Sequence, residues 1–263
     1  MLEDPILTRP IFALAHDYRH GSRVARHQHG HAQLLHALSG VVTVNTEAGT
    51  WVVPPGRGVW VPAGVAHDLK IAGQVRMRTL FVDPLARADL PESCRVVDIS
   101  PLLRELIVTA MEIDHSYALG GRDERVMELI LDELRVLPIL ALNVPSPGDP
   151  VLAELCRRLR ETPGESWTRQ AAAESIGLND KTLTRLFQRE TGLSFVQWLR
   201  RLRLLMALDS LAAGHSVLDV ALDLGYESPS AFTAMFRRTL GVPPSFYVGK
   251  EPAHGANSPA WRT

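Results

Sequence analysis

Two stretches of the C-terminal half repeat one pattern of apolar residues and glycines. Leu183, Phe187, Gly192, Ser194 and Trp198 stand at the same spacings as Phe232, Phe236, Gly241, Pro243 and Tyr247. Upstream, Ala172, Ile176 and Gly177 match Val220, Leu224 and Gly225. Such a repeat constrains the fold more tightly than composition does, because each copy must be one supersecondary unit. Each copy reads as a helix, a Gly turn and a second helix ending at another Gly. Gly177 and Gly225 fall where a helix-turn-helix needs a left-handed residue, which only glycine adopts cheaply. Start signals for the second helices agree: Asn179 is placed as an N-cap, and Ser228 precedes Pro229 as an N-cap precedes a first-turn proline.

The second helix of each copy has an apolar stripe that packs inward and a polar face left over. Leu183, Leu186 and Phe187 form the first stripe, and Phe232, Met235 and Phe236 the second. Lys181, Thr184, Arg185 and Gln188 share the remaining face of the first helix, at i, i+3, i+4 and i+7. Ser230, Thr233, Ala234 and Arg237 repeat that spacing in the second. Arg and Lys suit guanine O6 and N7, Gln suits adenine, and a Thr methyl can meet the thymine methyl, so both faces are built for the major groove. A solvated polar face is the alternative. Two copies, each behind a Gly turn, favour duplex DNA as the partner. Phe195–Ala213 between them reads as one long helix with Val196, Leu199, Leu202, Met206 and Leu211 inward. Its Arg200, Arg201 and Arg203 are placed either to meet phosphates or to be solvated.

The run Asp219-Val-Ala, Gly225-Tyr, Ser228, Phe232, Phe236, Gly241, Pro243-Pro and Phe246-Tyr247 resembles the DNA-binding domain of AraC-type (arabinose-regulator-like) transcription factors. With the first copy, the likeness runs from Trp167 to Tyr247. It implies that two helices read adjacent major-groove segments, with base-contact roles for Lys181, Thr184, Arg185, Ser230 and Thr233. RNA polymerase becomes a further partner on that reading. Ala234 and Val248 depart from the family pattern, each standing where Arg is usual.

Residues 11–83 read as short strands, with runs such as Leu34–Leu38, Val41–Val44, Trp51–Val53, Val59–Val61 and Met77–Val82 broken by Gly and Pro. Seven of the ten histidines lie between positions 16 and 67. On a strand, His27, His29, His31 and Gln33 would share one face. Gly21, His27, His29, Gln33 and Gly40 resemble the first cupin motif, with Gln33 in place of the usual Glu. Gly56, Pro62, Gly64 and His67 resemble the second, with Ile71 in place of Asn. The resemblance implies a small β-barrel with His27, His29, Gln33 and His67 around its mouth, beside strands carrying Trp51 and Trp60. This mouth is the concave polar constellation the sequence offers for a small-molecule effector. Three readings of it stand: a divalent transition metal held by His27, His29 and His67, a metal-free effector pocket, and a structural cluster. An amide at position 33 lowers the anionic charge offered to a hard cation. His31 and His36 are expected to be ordinary residues.

The whole then reads as an α+β chain of two domains. Residues 1–95 form the cupin-like barrel, 96–142 a helical coupling and dimerisation segment, 143–150 a linker too rich in Pro and Gly for helix or strand, 151–248 an all-α double helix-turn-helix, and 249–263 a disordered tail. Within 96–142, Pro101–Ser116 and Arg122–Leu142 show helical spacing. The stripe Val126, Leu129, Ile130, Leu134 and Leu137 is expected both to dock on the barrel and to form a homodimer. Charge divides the same way. Residues 1–149 carry 14 Lys and Arg against 18 Asp and Glu, or −4, while 150–249 carry 12 against 10, or +2, so the second half suits a polyanion. Two distant cysteines, the lack of a leader and the lack of a membrane-length apolar run lead us to expect a cytoplasmic protein that meets no membrane. The competing class is a metal-dependent cupin enzyme with an accessory helical domain. Against it, the carboxylate ligand is replaced by Gln33, and no P-loop, G-x-S-x-G or other catalytic constellation occurs.

Overall fold

Apolar alternation from Ile11 to Val82 produces six antiparallel strands: β1 (Ile11–Tyr18), β2 (Arg23–His27), β3 (Ala32–Asn45), β4 (Gly49–Val53), β5 (Arg57–Val61) and β6 (His67–Val82). The computed structural model describes residues 9–134 and 139–248. Leu137 and the expected tail 249–263 lie outside them.

β3 and β6 are the long strands, and they pair with each other from Ala32↔Val82 to Asn45↔Asp68. The runs Leu34–Leu38 and Val41–Val44 therefore belong to one strand. It bends where Gly40 takes φ +68 against the backbone of Gln74, which leaves no room for a side chain. Alternation along β3 sorts its residues to two cores. Leu35 and Ala37 join Val59, Val61, Leu69, Ile71 and Met77 in one. Ala32 and Leu34 join Ile11, Leu80, Val82 and Trp60 in the other, which α1 (Pro101–Ala110) and α2 (Arg122–Leu134) cover through Leu103, Ile107, Met127 and Ile130. Trp60 thus faces the helices, its indole N–H donating to the Pro91 carbonyl at 2.8 Å, and does not line the lumen.

The region read as 96–142 helix is bracketed by sheet. β7 (Arg95–Asp98) pairs with β5, and β8 (Ile139–Leu140) pairs with β7, so the two helices are an excursion from one sheet. The expected linker also departs from its reading. Asn143–Pro145 is a strand, β9, paired with β4 through Val144↔Thr50 and Asn143↔Trp51. Pro145 sits at the strand's end and Val144 is buried, so the Pro-rich composition did not prevent pairing. The stripe on α2 splits as well. Ile130 and Leu134 are buried within the monomer, whereas Leu129 is 40% exposed, so Ile130 cannot also meet a partner.

The helical half comprises α3 (Pro150–Glu161), α4 (Arg169–Ser175), α5 (Asp180–Thr191), α6 (Phe195–Ala212), α7 (Val217–Asp223) and α8 (Pro229–Leu240). Leu199, Leu202 and Leu211 of α6 are buried as expected, but Val196 is 46% exposed. The continuous core that fills the sheet runs on through Trp198, Leu205 and Leu208 into the helix pairs. At that seam the Trp198 indole donates to the Pro145 carbonyl at 2.9 Å, and Thr43 Oγ1 donates to Asp209 at 2.8 Å. No helix of the described residues is long and apolar enough to cross a membrane.

Candidate functional site

His27 ends β2 and His67 begins β6, and the two are register partners. His29 follows in the turn toward β3, where its carbonyl accepts from the Gly64 N–H at 2.8 Å. That bond ties the two histidine-bearing loops together. The rings stand 4.5 Å apart for His27 and His67, 4.7 Å for His27 and His29, and 5.8 Å for His29 and His67. One nitrogen from each lies within 4.8 Å of the others. The three imidazoles therefore converge, but not as residues of one strand face: β2 stops at His27, and the third ring arrives from β6.

Backbone contacts orient two of these rings. His27 Nδ1 lies 2.7 Å from the Ala25 carbonyl and His67 Nδ1 2.8 Å from the Val65 carbonyl. A carbonyl only accepts, so each Nδ1 carries its proton and a neutral ring presents the Nε2 lone pair. His67 is nearly buried, and this desolvation holds its pKa below the ordinary histidine value, with His27 and His29 pushing the same way. Converging imidazole nitrogens, two of them fixed by backbone carbonyls, are donors that a divalent transition metal takes, so this set fits one.

Gln33 lies on the inward parity of β3, 3% exposed, with Val61 and Phe81 as register partners. Its Oε1 is buried without a hydrogen-bond partner among the described residues. Phe81 was not singled out in the sequence. It packs edge-on to His29 at 5.4 Å and stacks on Phe12 at 4.6 Å, giving the cluster an apolar wall. His36, read as ordinary, is wholly buried on the opposite parity, with Nδ1 2.9 Å from the Arg57 carbonyl. Burial, with Arg104 and Arg78 nearby, lowers its pKa against the opposing pull of that carbonyl.

In the helical half, Asn179 and Ser228 cap α5 and α8 through the Thr182 and Ala231 amides, and Gly192 and Gly241 close them in left-handed conformation. Leu183 and Phe187 are fully buried, as are Phe232 and Phe236, while Leu186 and Met235 are half-buried. Lys181, Thr184, Arg185 and Gln188 are exposed on α5, where Arg169, Asp180 and Arg189 extend the same surface. Thr184 Oγ1 donates to the Asp180 carbonyl at 2.9 Å, and Gln188 Nε2 donates to the Gly192 carbonyl at 3.1 Å. On α8, Ser230 and Arg237 are exposed and Thr233 is half-buried. Arg169 pairs with Asp180, a contact whose separation in sequence hid it.

Not every arginine expected at phosphates is free to go there. Arg203 donates to the Pro163 and Glu165 carbonyls at 2.8 and 3.0 Å, and Arg201 reaches Asn143 Oδ1 at 3.3 Å. Nor is the histidine mouth the sole concave polar constellation, because a cleft of about 610 Å³ lies beside these arginines.

Residues 9–134 match the AraC-like ligand binding domain, and residues 172–250 match a helix-turn-helix domain. The HTH-type transcriptional regulator NimR of Escherichia coli is 35% identical over 224 residues, covering 85% of this chain and 82% of NimR. The chain belongs to the AraC family of transcriptional regulators. RipA of Corynebacterium glutamicum, another HTH-type transcriptional regulator, is 31% identical over 82% of this chain and 62% of its own length. Apo ToxT of Vibrio cholerae aligns over 92% of this chain and 98% of its own at 12% identity with a TM-score of 0.38. That likeness is loose, and the family assignment stands on the sequence relatives. As an AraC-family member the chain is a DNA-binding regulator with a ligand-binding domain, and the cupin-enzyme alternative falls.

Proposed function

We propose that this AraC-family regulator seats α5 and α8 in adjacent major-groove segments of operator DNA. Lys181, Thr184, Arg185 and Gln188 read the first, and Ser230, Thr233 and Arg237 the second. One observation carries this reading: Lys181, Arg185 and Arg237 stand exposed on capped helices, and their charged groups make no hydrogen bond or ion pair among the described residues. Uncommitted cations on rigid helices are free to meet base edges and phosphates.

The effector is a small molecule taken at His27, His29, Gln33 and His67. The orphaned Gln33 Oε1 supports a ligand that offers a hydrogen-bond donor, since a buried acceptor left unmatched costs about 1–3 kcal/mol. The convergence of the three rings, with Nε2 of His27 and His67 turned free of the backbone, favours a second reading of the same site, in which a divalent transition metal on His27, His29 and His67 forms part of the pocket. The protein acts as a homodimer through the outward side of α2 at Leu129, recognising two half-sites and bringing its bound DNA to RNA polymerase. Protection of duplex DNA taken from beside the coding region tests the reading. Wild type should protect a site, and Arg185→Ala should lose it; equal protection by both would remove α5 as the reader. Zinc or nickel titration should load wild type and not the pair His29→Ala, His67→Ala. Failure of wild type to load leaves the metal-free pocket.

A further inference from the structure

The cleft of about 610 Å³ opens where the barrel's last turn, α6 and α8 meet. Arg200, Arg201 and Arg203 of α6, Arg238 of α8, Tyr226 and Ala141 stand around it, and none of the described lining residues is acidic. The site is not part of the reading face. Its α8 residues, Ala231, Met235, Arg238 and Thr239, follow i, i+4, i+7 and i+8, whereas the reading residues are 230, 233, 234 and 237. At 3.6 residues per turn the centres of these two stripes lie roughly 135° apart around the helix.

The four guanidinium groups are unequally committed. Arg203 is held by two carbonyls, and Arg201 has the single long contact to Asn143. Arg200 and Arg238 have no hydrogen bond or ion pair among the described residues. Burial pulls Arg201 and Arg203 below the usual guanidinium range, with Tyr226 opposing that pull on Arg203. Burial also raises the Tyr226 phenol, so it stays a neutral O–H at neutral pH. Gathering like charges in a partly dry cleft is unfavourable unless an anion joins them. Planar guanidinium forks match carboxylate and phosphate oxygens in pairs.

We propose that this cleft binds a small molecule carrying two or more anionic oxygen groups, phosphate or carboxylate. Arg200 and Arg238 are its principal partners, and Arg201 and Tyr226 further donors. The volume falls within the range of small-ligand sites. A ligand there touches the barrel at Ala141 and the reader at α6 and α8, and the proposal does not depend on what the histidine cluster holds.

Calorimetric titration of the full chain with inorganic pyrophosphate, and separately with citrate, tests it. At least one probe should bind wild type, and the double variant Arg200→Gln, Arg238→Gln should weaken that binding by about tenfold or more. The salt dependence of duplex-DNA binding should be the same in both proteins. Absence of binding by both probes at about 10 mM, or binding undiminished in the double variant, overturns the proposal. So does a salt slope lowered by about two in the variant, because that marks the arginines as contacts to DNA phosphates. Arg238→Glu alone, at an exposed position, supplies the same comparison should the double variant fail to fold.

Discussion

Burial lowers the pKa of His67 and of His36, and their titration sets an acid-side limit on stability. The unfolded chain binds protons at an ordinary histidine pKa of about 6.5, whereas these folded sites bind them only at lower pH. Stability is therefore full above about 6.5 and falls as the pH drops through that value toward the depressed ones. Thermal melts between about pH 7.5 and 5.5 should show Tm declining, with a shallower decline in His67→Gln; equal slopes would mean His67 titrates normally in the fold. At the reading face, Arg185→Ala should cost about 1–3 kcal/mol at the operator and relax preference at one or two base positions. Unchanged affinity and preference would exclude Arg185 from base contact. The histidines could be found in the sequence because their spacing with Gly21, Gly40 and Gly64 survives in a string. The burial of His36 could not, because parity on β3 shows only once both faces of the strand are seen to be covered. A period of two distinguishes the faces but does not say that α1 and α2 roof the outer one.

α5 and α8 were legible almost to the residue, since caps, left-handed glycines and apolar spacing are local signals that packing did not override. β9 was not. Its pairing with β4 is set by residues nearly a hundred positions upstream, and nothing within Asn143–Pro150 reports it. The same holds for Arg201, whose charge suggested phosphate but whose side chain leans toward Asn143 of β9. Arg201→Ala is therefore expected to lower Tm while leaving the salt dependence of DNA binding nearly unchanged. A slope reduced by about one would return Arg201 to the phosphate contacts. On α2 the burial pattern separates two substitutions that the sequence treated alike. Ile130→Glu places a charge in a filled core and should unfold the protein, whereas Leu129→Glu should keep the fold and shift the molecule from dimer to monomer in light scattering. A folded Leu129→Glu dimer, as stable as wild type, would place the dimer contact elsewhere.

Sensor and reader share one apolar core, and α6 is the element common to both. It carries Trp198 and Asp209 to the sheet and separates the two helix-turn-helix copies on its other sides. Gly73 marks how closely they approach: a Cβ there would lie 2.7 Å from the Ala212 carbonyl oxygen, and its φ of +73 already disfavours any side chain. That oxygen belongs to the last turn of α6 and cannot swing aside as a flexible side chain would. Relief must come from the sheet and helix moving apart, which also strains Thr43–Asp209 and Lys70–Asp209, at 2.8 and 3.3 Å. Gly73→Ala is accordingly expected to cost about 1–3 kcal/mol. Its more telling effect is on cooperativity. With the core continuous, wild type should melt in one calorimetric transition whose van't Hoff and calorimetric enthalpies agree. Gly73→Ala, or Asp209→Ala as an independent way to open the seam, should broaden or split that transition while the variant keeps its affinity for operator DNA. Two transitions in wild type itself would mean that the halves unfold separately, and that a signal from the barrel reaches α5 and α8 by some path other than α6.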